Sequence, residues 1–178
     1  LAETTKMKTM IGDLLAFNSF AVDAVPVKIE AVQINDVVED IVRSWGATHP
    51  QIDLHISSLE EDVNLQADIV RVQQILSNLL TNAEQSMDGN GTIHVTLQTD
   101  KHFIIVDVQD SGCGIPLAEQ PFIFERFYRG EQKKYKIRGL GLGLALSKMM
   151  AQSIGGDLML VNSTPQGTTF RLKLLKTF

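Results

Sequence analysis

Two asparagines placed one helical turn apart, Asn78 and Asn82, are the first residues whose spacing points to chemistry. They lie in residues 68–87, where apolar residues recur every three or four positions and predict a long amphipathic helix. Amide oxygens on one helix face can bind a hard cation such as Mg2+, which prefers oxygen ligands and keeps several waters beside phosphate. A solvated polar helix face is the alternative. The residues predicted to share this face are Arg71, Gln74, Asn78, Asn82 and Gln85.

A second motif, DSGCGIP at residues 110–116, directly follows a predicted strand. The carboxylate of Asp110 can accept a hydrogen bond from an amino group such as that of adenine. Gly112 and Gly114 allow the backbone to approach a flat ligand closely. A plain turn with no ligand is the alternative reading of these residues.

A third motif, GLGLGL at residues 139–144, opens a helix predicted over 142–154. Alternating glycines at a helix N-terminus expose backbone N–H groups to an anion, and the helix dipole favours negative charge there. The motif therefore predicts a phosphate site, with a glycine hinge that binds nothing as the alternative. Neither glycine cluster completes the P-loop pattern or the dinucleotide-binding pattern.

A basic segment lies between these two glycine motifs. Residues 125–138 carry six basic side chains against two glutamates, a net charge of +4, although the whole chain has a net charge of -5. Long loops without regular structure inside a compact domain often cover functional sites. We therefore expect a cationic lid over a polyphosphate, and a solvated charged surface is the alternative.

Composition limits the class of protein. The chain has 178 residues, an acidic balance and one cysteine, Cys113. Its overall charge gives no footprint for nucleic acid or for an anionic membrane. No apolar run approaches 18 residues, so we expect no direct membrane contact by this segment and a reducing, cytoplasmic location.

The elements that must position these motifs follow from periodicity. Apolar residues spaced by three and four predict an amphipathic helix over residues 1–20, which packs either on a partner helix or on its own domain. A linker, residues 21–34, shows a short apolar-polar alternation after Pro26 that predicts a first strand. It precedes a domain over 35–178, in which Asn35 is expected to cap the first helix and Gly46 to end it. Three helices among runs of hairpin strands predict a two-layer α/β sandwich of the α+β type, with a mixed sheet of about five strands. The predicted strands are 52–56, 93–97, 104–108, 158–161 and 168–174.

Five motifs in register resemble those of a known family. They are NLLTNA at 78–83, DSGCGIP at 110–116, FERFYRG at 124–130, GLGLGL at 139–144 and GTTF at 167–170. In order and separation they resemble the N, G1, F, G2 and C-terminal boxes of sensor histidine kinases, within the GHKL ATPase and kinase superfamily. The resemblance covers residues 35–178. Residues 1–20 resemble the second helix of the dimerisation and phosphotransfer hairpin, a less specific similarity.

The resemblance implies roles for individual residues. Asn82, with Asn78, would hold Mg2+, and Asp110 would accept from the adenine amino group of ATP or ADP. Thr168 would support that contact through water, and the glycines of the 139–144 motif would accompany the triphosphate. The nucleotide-binding residues implied are Asn78, Asn82, Gln85, Asp110, Gly112, Gly114, Ile115, Phe124, Phe127, Tyr128, Arg129, Gly139, Leu140, Gly141, Leu142, Gly143, Leu144 and Thr168.

The resemblance also implies roles for lid residues, and the chain departs from the usual family sequence at two places. Phe124 and Phe127 would anchor the lid, and Arg129 would contact phosphate. Many family members carry Lys-Tyr where this chain has Gln85 and Ser86, so a cation near the phosphates would have to come from the lid. Threonine is frequent in the family at the position of Leu140.

The function implied is transfer of the γ-phosphoryl of Mg-ATP to a histidine, with a response regulator and a histidine-bearing helical hairpin as partners and a homodimer through the N-terminal helix. None of the four histidines begins the family's His-Glu/Asp pattern, so we expect the acceptor histidine upstream of Leu1, in a parent protein that an anchor could hold at the cell membrane. Two alternatives remain. One is an ATPase of the same superfamily, whose water-activating glutamate would fall at Asn78, and the other is an inactive nucleotide-binding regulator.

Overall fold

The computed structural model describes residues 26–61, 63–130 and 140–176. The predicted helix over 1–20, the first part of the linker, the basic part of the lid from 131 onward and Gly139 lie outside the described residues. The helices are α1 (Ile34–Ala47), α2 (Ile69–Ser86) and α3 (Gly143–Ser153). The strands are β1 (Glu30–Gln33), β2 (Ile52–Ser57), β3 (Asn64–Ala67), β4 (Gly91–Thr99), β5 (Phe103–Asp110), β6 (Asp157–Thr164) and β7 (Gly167–Leu175).

The predicted mixed sheet of five strands is confirmed. Its strand order is β2-β4-β5-β7-β6, with β2 parallel to β4 and the other neighbours antiparallel. Residues alternate between the two faces of each strand, and one face is covered by helices. The described part of the chain therefore forms the α/β sandwich that periodicity predicted.

The core lies between the sheet and the apolar stripe of α2. The predicted stripe residues are buried, as are the inward residues of the central strands. Helices α3 and α1 both pack against α2. The helix that carries the two asparagines is thus fixed between two neighbours, which determines the direction of its polar face. The buried stripe consists of Val72, Ile75, Leu76, Leu79, Leu80 and Ala83.

A second, two-stranded sheet was not predicted. Strands β1 and β3 pair antiparallel, from Glu30 opposite Ala67 to Gln33 opposite Asn64. Strand β1 lies where the alternation at the end of the linker predicted a first strand, whereas the four residues of β3 are too few for alternation to identify a strand. This small sheet holds the end of the linker against the start of α2.

The predicted cap of the first helix is wrong. Helix α1 begins at Ile34, and its N-cap is Gln33, two residues before the predicted cap; Gln33 makes no side-chain capping bond. The side chain of Asn35 instead donates to Leu59 O and accepts from Leu59 N, at 3.1 Å each. Gly46 lies inside α1, which ends one residue later at Ala47, and it packs closely against Leu54 of β2.

Arg71 does not belong to a solvated face of α2, as the sequence had suggested. It is 4% exposed, and it lies beside Asp68, the N-cap residue whose Oδ1 accepts from Arg71 N at 3.1 Å. Asp68 Oδ2 also accepts from Lys28 N at 2.9 Å, and the Arg71 guanidinium reaches Ser153 at the end of α3. A charged cluster therefore joins the linker, the start of α2 and the end of α3.

The β4–β5 turn is organised by Asp100. Its Oδ1 accepts from His102 N at 2.8 Å and from Phe103 N at 2.7 Å. These two backbone hydrogen bonds lower the pKa of the Asp100 carboxyl below its ordinary value.

No helix in the described part of the chain is long and apolar enough to cross a membrane.

Candidate functional site

A cleft of about 420 Å³ opens between α2 and the first turn of α3. Its walls also include the segment after β5, the residues that lead into the lid, and the start of β7. Most of the site residues predicted from the sequence and described by the structure line it together. They are Asn78, Asn82, Gln85, Asp110, Gly114, Ile115, Tyr128, Arg129, Leu140, Gly141, Leu142, Gly143, Leu144 and Thr168.

The wall formed by α2 is polar and carries no charge. Asn78, Asn82 and Gln85 lie on it because positions spaced by three and four share one face of a helix. Ser77 and Thr81 continue the same wall and were not predicted. The wall therefore offers amide and hydroxyl oxygens to a ligand and no carboxylate.

Asn78 also joins the two helices that border the cleft. Its Nδ2 donates to Ser147 Oγ at 2.9 Å, and Ser147 is buried on α3. A Cβ atom on Gly143 would lie 2.5 Å from Asn78 Oδ1, so a glycine is needed at this point of the contact. Asn78 thus sets the distance between α2 and the start of α3, in addition to any ligand that its oxygen could bind.

Asp110 lies at the end of β5 and is 5% exposed. Its Oδ1 accepts from Gly112 N at 2.8 Å and from Thr168 N at 3.3 Å. The hydroxyl of Ser86 lies 3.0 Å from the same oxygen, and also 2.8 Å from Ala83 O. Donors that converge on one oxygen fix the rotation of the carboxylate, which suits an acceptor that must recognise one amino group.

The glycines after β5 are required by close packing. A Cβ atom on Gly112 would meet the Ser86 hydroxyl, so Gly112 supports the cleft from behind and does not line it. Gly114 has a φ of 72° and its Cα approaches the carbonyl of Thr164. The glycine pair therefore holds the segment against α2 on one side and β6 on the other.

The hydroxyl groups of Ser163 and Thr168 connect the segment after β5 to β6 and β7. Ile115 N donates to Ser163 Oγ at 2.8 Å, and Ser163 Oγ lies 2.9 Å from Thr168 Oγ1. Thr168 is 3% exposed and its N–H donates to Asp110. The position of the Asp110 carboxylate thus depends on residues from β5, β6 and β7.

The first turn of α3 faces the cleft with its backbone. Helix α3 begins at Gly143, and its N-cap residue, Leu142, makes no side-chain capping bond. The first turn carries no acidic residue. The first N–H groups of a helix have no partner within it, and the dipole gives them positive character. This end of the cleft can therefore bind a phosphate.

The first part of the lid is anchored by backbone contacts to the residues just before α3. Phe127 N donates to Gly141 O at 2.9 Å, and both residues have positive φ, 64° and 73°. A Cβ atom on Gly141 would lie 2.5 Å from Tyr128 O. Phe124 packs edge-on against Phe170 in the core and does not line the cleft. Phe127 does not line it either, and its side chain is 59% exposed.

Several cleft residues were missed by sequence reasoning. Ser86 was noted only as a departure from a motif, yet it contacts Asp110. Glu119 lines the cleft, and its carboxylate lies against Gly130. Cys113, a free exposed cysteine, lines it as well. Cys113 lies within the predicted motif at 110–116, whereas no spacing marks Ser86 or Glu119, because only the tertiary fold brings them to the cleft.

The chemistry of the donors limits which metal could bind. The described residues contain no group of three histidine, cysteine, aspartate or glutamate side chains that could hold a metal ion. Transition metals favour such ligands, whereas Mg2+ uses few protein oxygens together with water and phosphate. The amide oxygens on α2 fit a Mg2+ ion that arrives with a phosphate group.

Comparison with known families identifies a match over most of the chain. A family model described as "Histidine kinase-, DNA gyrase B-, and HSP90-like ATPase" matches residues 67–177. The match begins at the end of β3 and includes α2, the five-stranded sheet from β4 onward, and α3. It therefore covers every wall of the cleft.

Curated relatives are similar along nearly the whole chain. The sensor histidine kinase WalK of Bacillus subtilis is 30% identical over 176 residues, which is 97% of this chain and 29% of that protein. The signal transduction histidine-protein kinase ArlS of Staphylococcus haemolyticus is 27% identical over 173 residues, 97% of this chain and 38% of that protein. The chain thus spans about a third of the length of these relatives.

Solved structures share the fold. The full-length structure of ShkA in complex with AMPPNP has a TM-score of 0.85 at 22% identity, and covers 99% of this chain and 37% of that one. The mycobacterial sensor histidine kinase MprB has a TM-score of 0.71 at 26% identity, over 83% of this chain and 98% of that one. The catalytic domain of the histidine kinase ThkA has a TM-score of 0.73 at 25% identity, over 85% and 99%.

Proposed function

This chain belongs to the histidine kinase-, DNA gyrase B- and HSP90-like ATPase family, and from that membership we propose that it is the ATP-binding catalytic portion of a sensor histidine kinase. In the intact protein it transfers the γ-phosphoryl of ATP to a histidine. Its curated relatives are named histidine kinases, and a protein with the same fold is in complex with AMPPNP. Most of the residues proposed to do this line one cleft.

The observation that carries the proposal is the arrangement of the two ends of the cleft. At one end, the Asp110 carboxylate is buried and held by Gly112 N, and it would accept from an adenine amino group. At the other end, the uncapped first turn of α3 offers N–H groups to phosphate. ATP carries an amino group at one end and phosphates at the other, so one molecule can satisfy both ends.

The polar wall of α2 lies alongside these two ends, and Asn82 with Asn78 would hold Mg2+ there. Bound Mg2+ would neutralise charge that develops on the transferred phosphoryl group. The chain itself would orient the nucleotide. Asp110 and Thr168 would hold the adenine ring, and the start of α3, together with Gly141 and Gly143, would hold the phosphates. Positioning of this kind supplies a large part of catalysis in phosphoryl transfer.

Phosphoryl transfer is favoured over hydrolysis because the α2 wall of the cleft carries no carboxylate. Hydrolysis needs a group that activates water, and the superfamily's ATPases would carry a glutamate at the position of Asn78. Among the described cleft residues the carboxylates belong to Asp110 and Glu119, and neither lies on α2. Asp110 Oδ1 already accepts from two backbone N–H groups, and Glu119 lies against Gly130. The α2 wall therefore provides no base for water.

The partners follow from the reaction. An acceptor histidine would be presented by a helical hairpin, and a response regulator would then receive the phosphoryl group. Residues 1–20 would form the second helix of that hairpin and make a homodimer, because an amphipathic stripe of this length needs a covering partner. The proposed location is the cytoplasm, since ATP is the substrate.

Isothermal calorimetry with the full chain tests the first step. We expect Mg-ATP and Mg-ADP to bind and GTP to bind far more weakly, because guanine presents a carbonyl oxygen where adenine presents an amino group. Incubation with a separately supplied histidine-bearing hairpin then tests transfer. Binding without transfer would favour the inactive regulator, and release of inorganic phosphate without a phosphorylated hairpin would favour the ATPase.

A further inference from the structure

Lys148 makes an unusual set of contacts on α3. Its Nζ donates to Leu158 O at 2.9 Å and forms an ion pair with Asp157 Oδ1 at 3.2 Å. The same ammonium group lies 4.8 Å from the centroid of the Phe124 ring. One cation therefore contacts the start of β6 and the aromatic residue that leads into the lid.

Phe124 connects Lys148 to residues that line the cleft. Its ring packs edge-on against Phe170, with centroids 6.2 Å apart, and Phe170 lines the cleft. Three residues further along, Phe127 N donates to Gly141 O. The ring that lies under Lys148 thus fixes the segment whose next residues, Tyr128 and those that follow, form the cleft wall beside the start of α3.

We propose that Lys148 is a positioning residue that holds the phosphate half of the cleft, which is the part formed by the first turn of α3 and by residues 128–130. It does so by fixing α3 to β6 and Phe124 to α3 at the same time. The inference rests on the proposed function, because it concerns the binding of ATP. Lys148 does not line the cleft, so it acts through the first turn of α3 and through the residues that precede the lid. Asp110 lies at the other end and has no contact with it among the described interactions.

The charge of Lys148 is what the proposal needs. A cation over an aromatic face is attracted by the ring quadrupole, and an apolar side chain of the same length keeps only the packing. The variant Lys148→Met removes the charge and the hydrogen bond and preserves the volume. The variant Lys148→Arg keeps the charge and the cation over the ring.

The chain provides a matched control. Lys173 Nζ lies 5.5 Å from the centroid of the Phe103 ring, which is the same kind of contact between β7 and β5. Both residues alternate with buried core residues on their strands and so lie on the face of the sheet away from the helices. Lys173 lies opposite Asp157, the ion-pair partner of Lys148, but neither Lys173 nor Phe103 lines the cleft. The variant Lys173→Met therefore loses a cation over a ring outside the cleft.

The test measures two affinities for each variant, that for Mg-ATP and that for adenosine, by competition with a fluorescent nucleotide. We expect Lys148→Met to weaken Mg-ATP binding about five- to tenfold and to leave adenosine binding within about twofold, because the loss of the cation and the hydrogen bond affects only the phosphate half. Lys148→Arg should restore Mg-ATP binding, and Lys173→Met should leave both affinities unchanged. Equal losses for the two ligands, no loss, or the same loss in Lys173→Met would overturn the proposal.

Hydrogen exchange of residues 124–130 gives a second readout that needs no nucleotide. Faster exchange there in Lys148→Met, absent in Lys173→Met, supports the positioning role, and unchanged exchange contradicts it. If the unsubstituted chain failed to bind ATP, the proposed function would fall, and this exchange measurement would still decide whether Lys148 fixes the segment.

Discussion

Asn78 on α2 and Gly143 on α3 are in direct contact across the cleft, with no room between them for a Cβ atom on Gly143. The Asn78 amide is held there by its hydrogen bond to Ser147. The asparagine that the sequence marks as a metal ligand therefore also joins two helices, and the glycine that it marks as a phosphate contact also permits that joint. Substitutions at the two positions should affect stability and binding together.

Gly143→Ala should lower the free energy of unfolding by about 1 to 3 kcal/mol through overpacking, although alanine is the better helix former. Nucleotide affinity should fall as well, because the start of α3 is displaced. Denaturant unfolding measures the first effect and calorimetry the second. The double variant with Asn78→Ser makes room for the methyl group, so its loss should be smaller than the sum of the two single losses. Additive losses would mean that the contact is not tight.

Asp110→Asn should weaken Mg-ADP binding by about 1.5 to 3 kcal/mol, the value of a hydrogen bond to an ionised group. Asp107→Asn is the matched control, since Asp107 lies on the same strand and binds Arg171 through two contacts of 2.7 Å on the opposite face. It should reduce stability without reducing affinity. Equal affinities of the Asp110→Asn and unsubstituted proteins in calorimetry would remove Asp110 from the adenine site.

Asn82→Ala should reduce phosphotransfer to a supplied hairpin more than it reduces nucleotide binding, because the role proposed for Asn82 is to hold the metal. Asn78→Ala should reduce transfer less, and should also destabilise the joint with Ser147. Gln74→Ala, an exposed position on the same helix, is the control. Near-normal transfer by Asn82→Ala at saturating magnesium would return the pair to a structural role.

The lid and the residues that lead into it, 117–138, should be the fastest-exchanging part of the domain and should become protected when ATP binds. Their net positive charge and the glycines that flank them at both ends favour a segment that orders around a triphosphate. The structure describes it only as far as 130, and there Phe124 and the backbone of Phe127 are anchored. Protection should therefore increase most beyond Phe127. Identical exchange with and without nucleotide, relative to the buried strand β4, would argue against a lid.

The parts of the fold that the sequence predicts well are those with long periodic patterns. Helix α2 was predicted within one residue at each end, because eighteen residues repeat a buried stripe. The burial of Arg71 was not predictable, because its contact with Ser153 joins residues 82 positions apart. Strand β1 was predicted only as a first strand at the end of the linker, and β3 was missed, since four residues give too little alternation and only pairing stabilises them.

The residues of the candidate site were likewise predictable only where a local sequence pattern marks them. Motif residues such as Asp110 and Asn82 were identified because their types and spacing match a ligand's needs, and the structure brings them to one cleft. Ser86 and Glu119 reach that cleft only through the packing of α2 and of the segment after β5. Their residue types are common, so no local pattern separates them from ordinary surface positions.

The four histidines lie away from the cleft in the described structure. His49 stacks on Trp45 at the end of α1, with ring centroids 3.8 Å apart. His55 and His94 stack on each other at 4.8 Å, on the face of the sheet that alternates with the core. His102 is exposed in the β4–β5 turn. None of the four lines the cleft where the phosphates of ATP would lie.

The chain should therefore bind ATP and fail to phosphorylate itself, because in-line transfer requires near-contact between the nucleophile and the phosphorus atom. Rotation of a side chain cannot bring His55 or His94 from the outer face of the sheet to α3, since the sheet and the core lie between them. Addition of a histidine-bearing hairpin should restore transfer to that hairpin. Incubation with radiolabelled ATP distinguishes these cases. Acid-labile label that accumulates on the chain alone, and that disappears when one of its own histidines is replaced, would show that the acceptor lies within the chain.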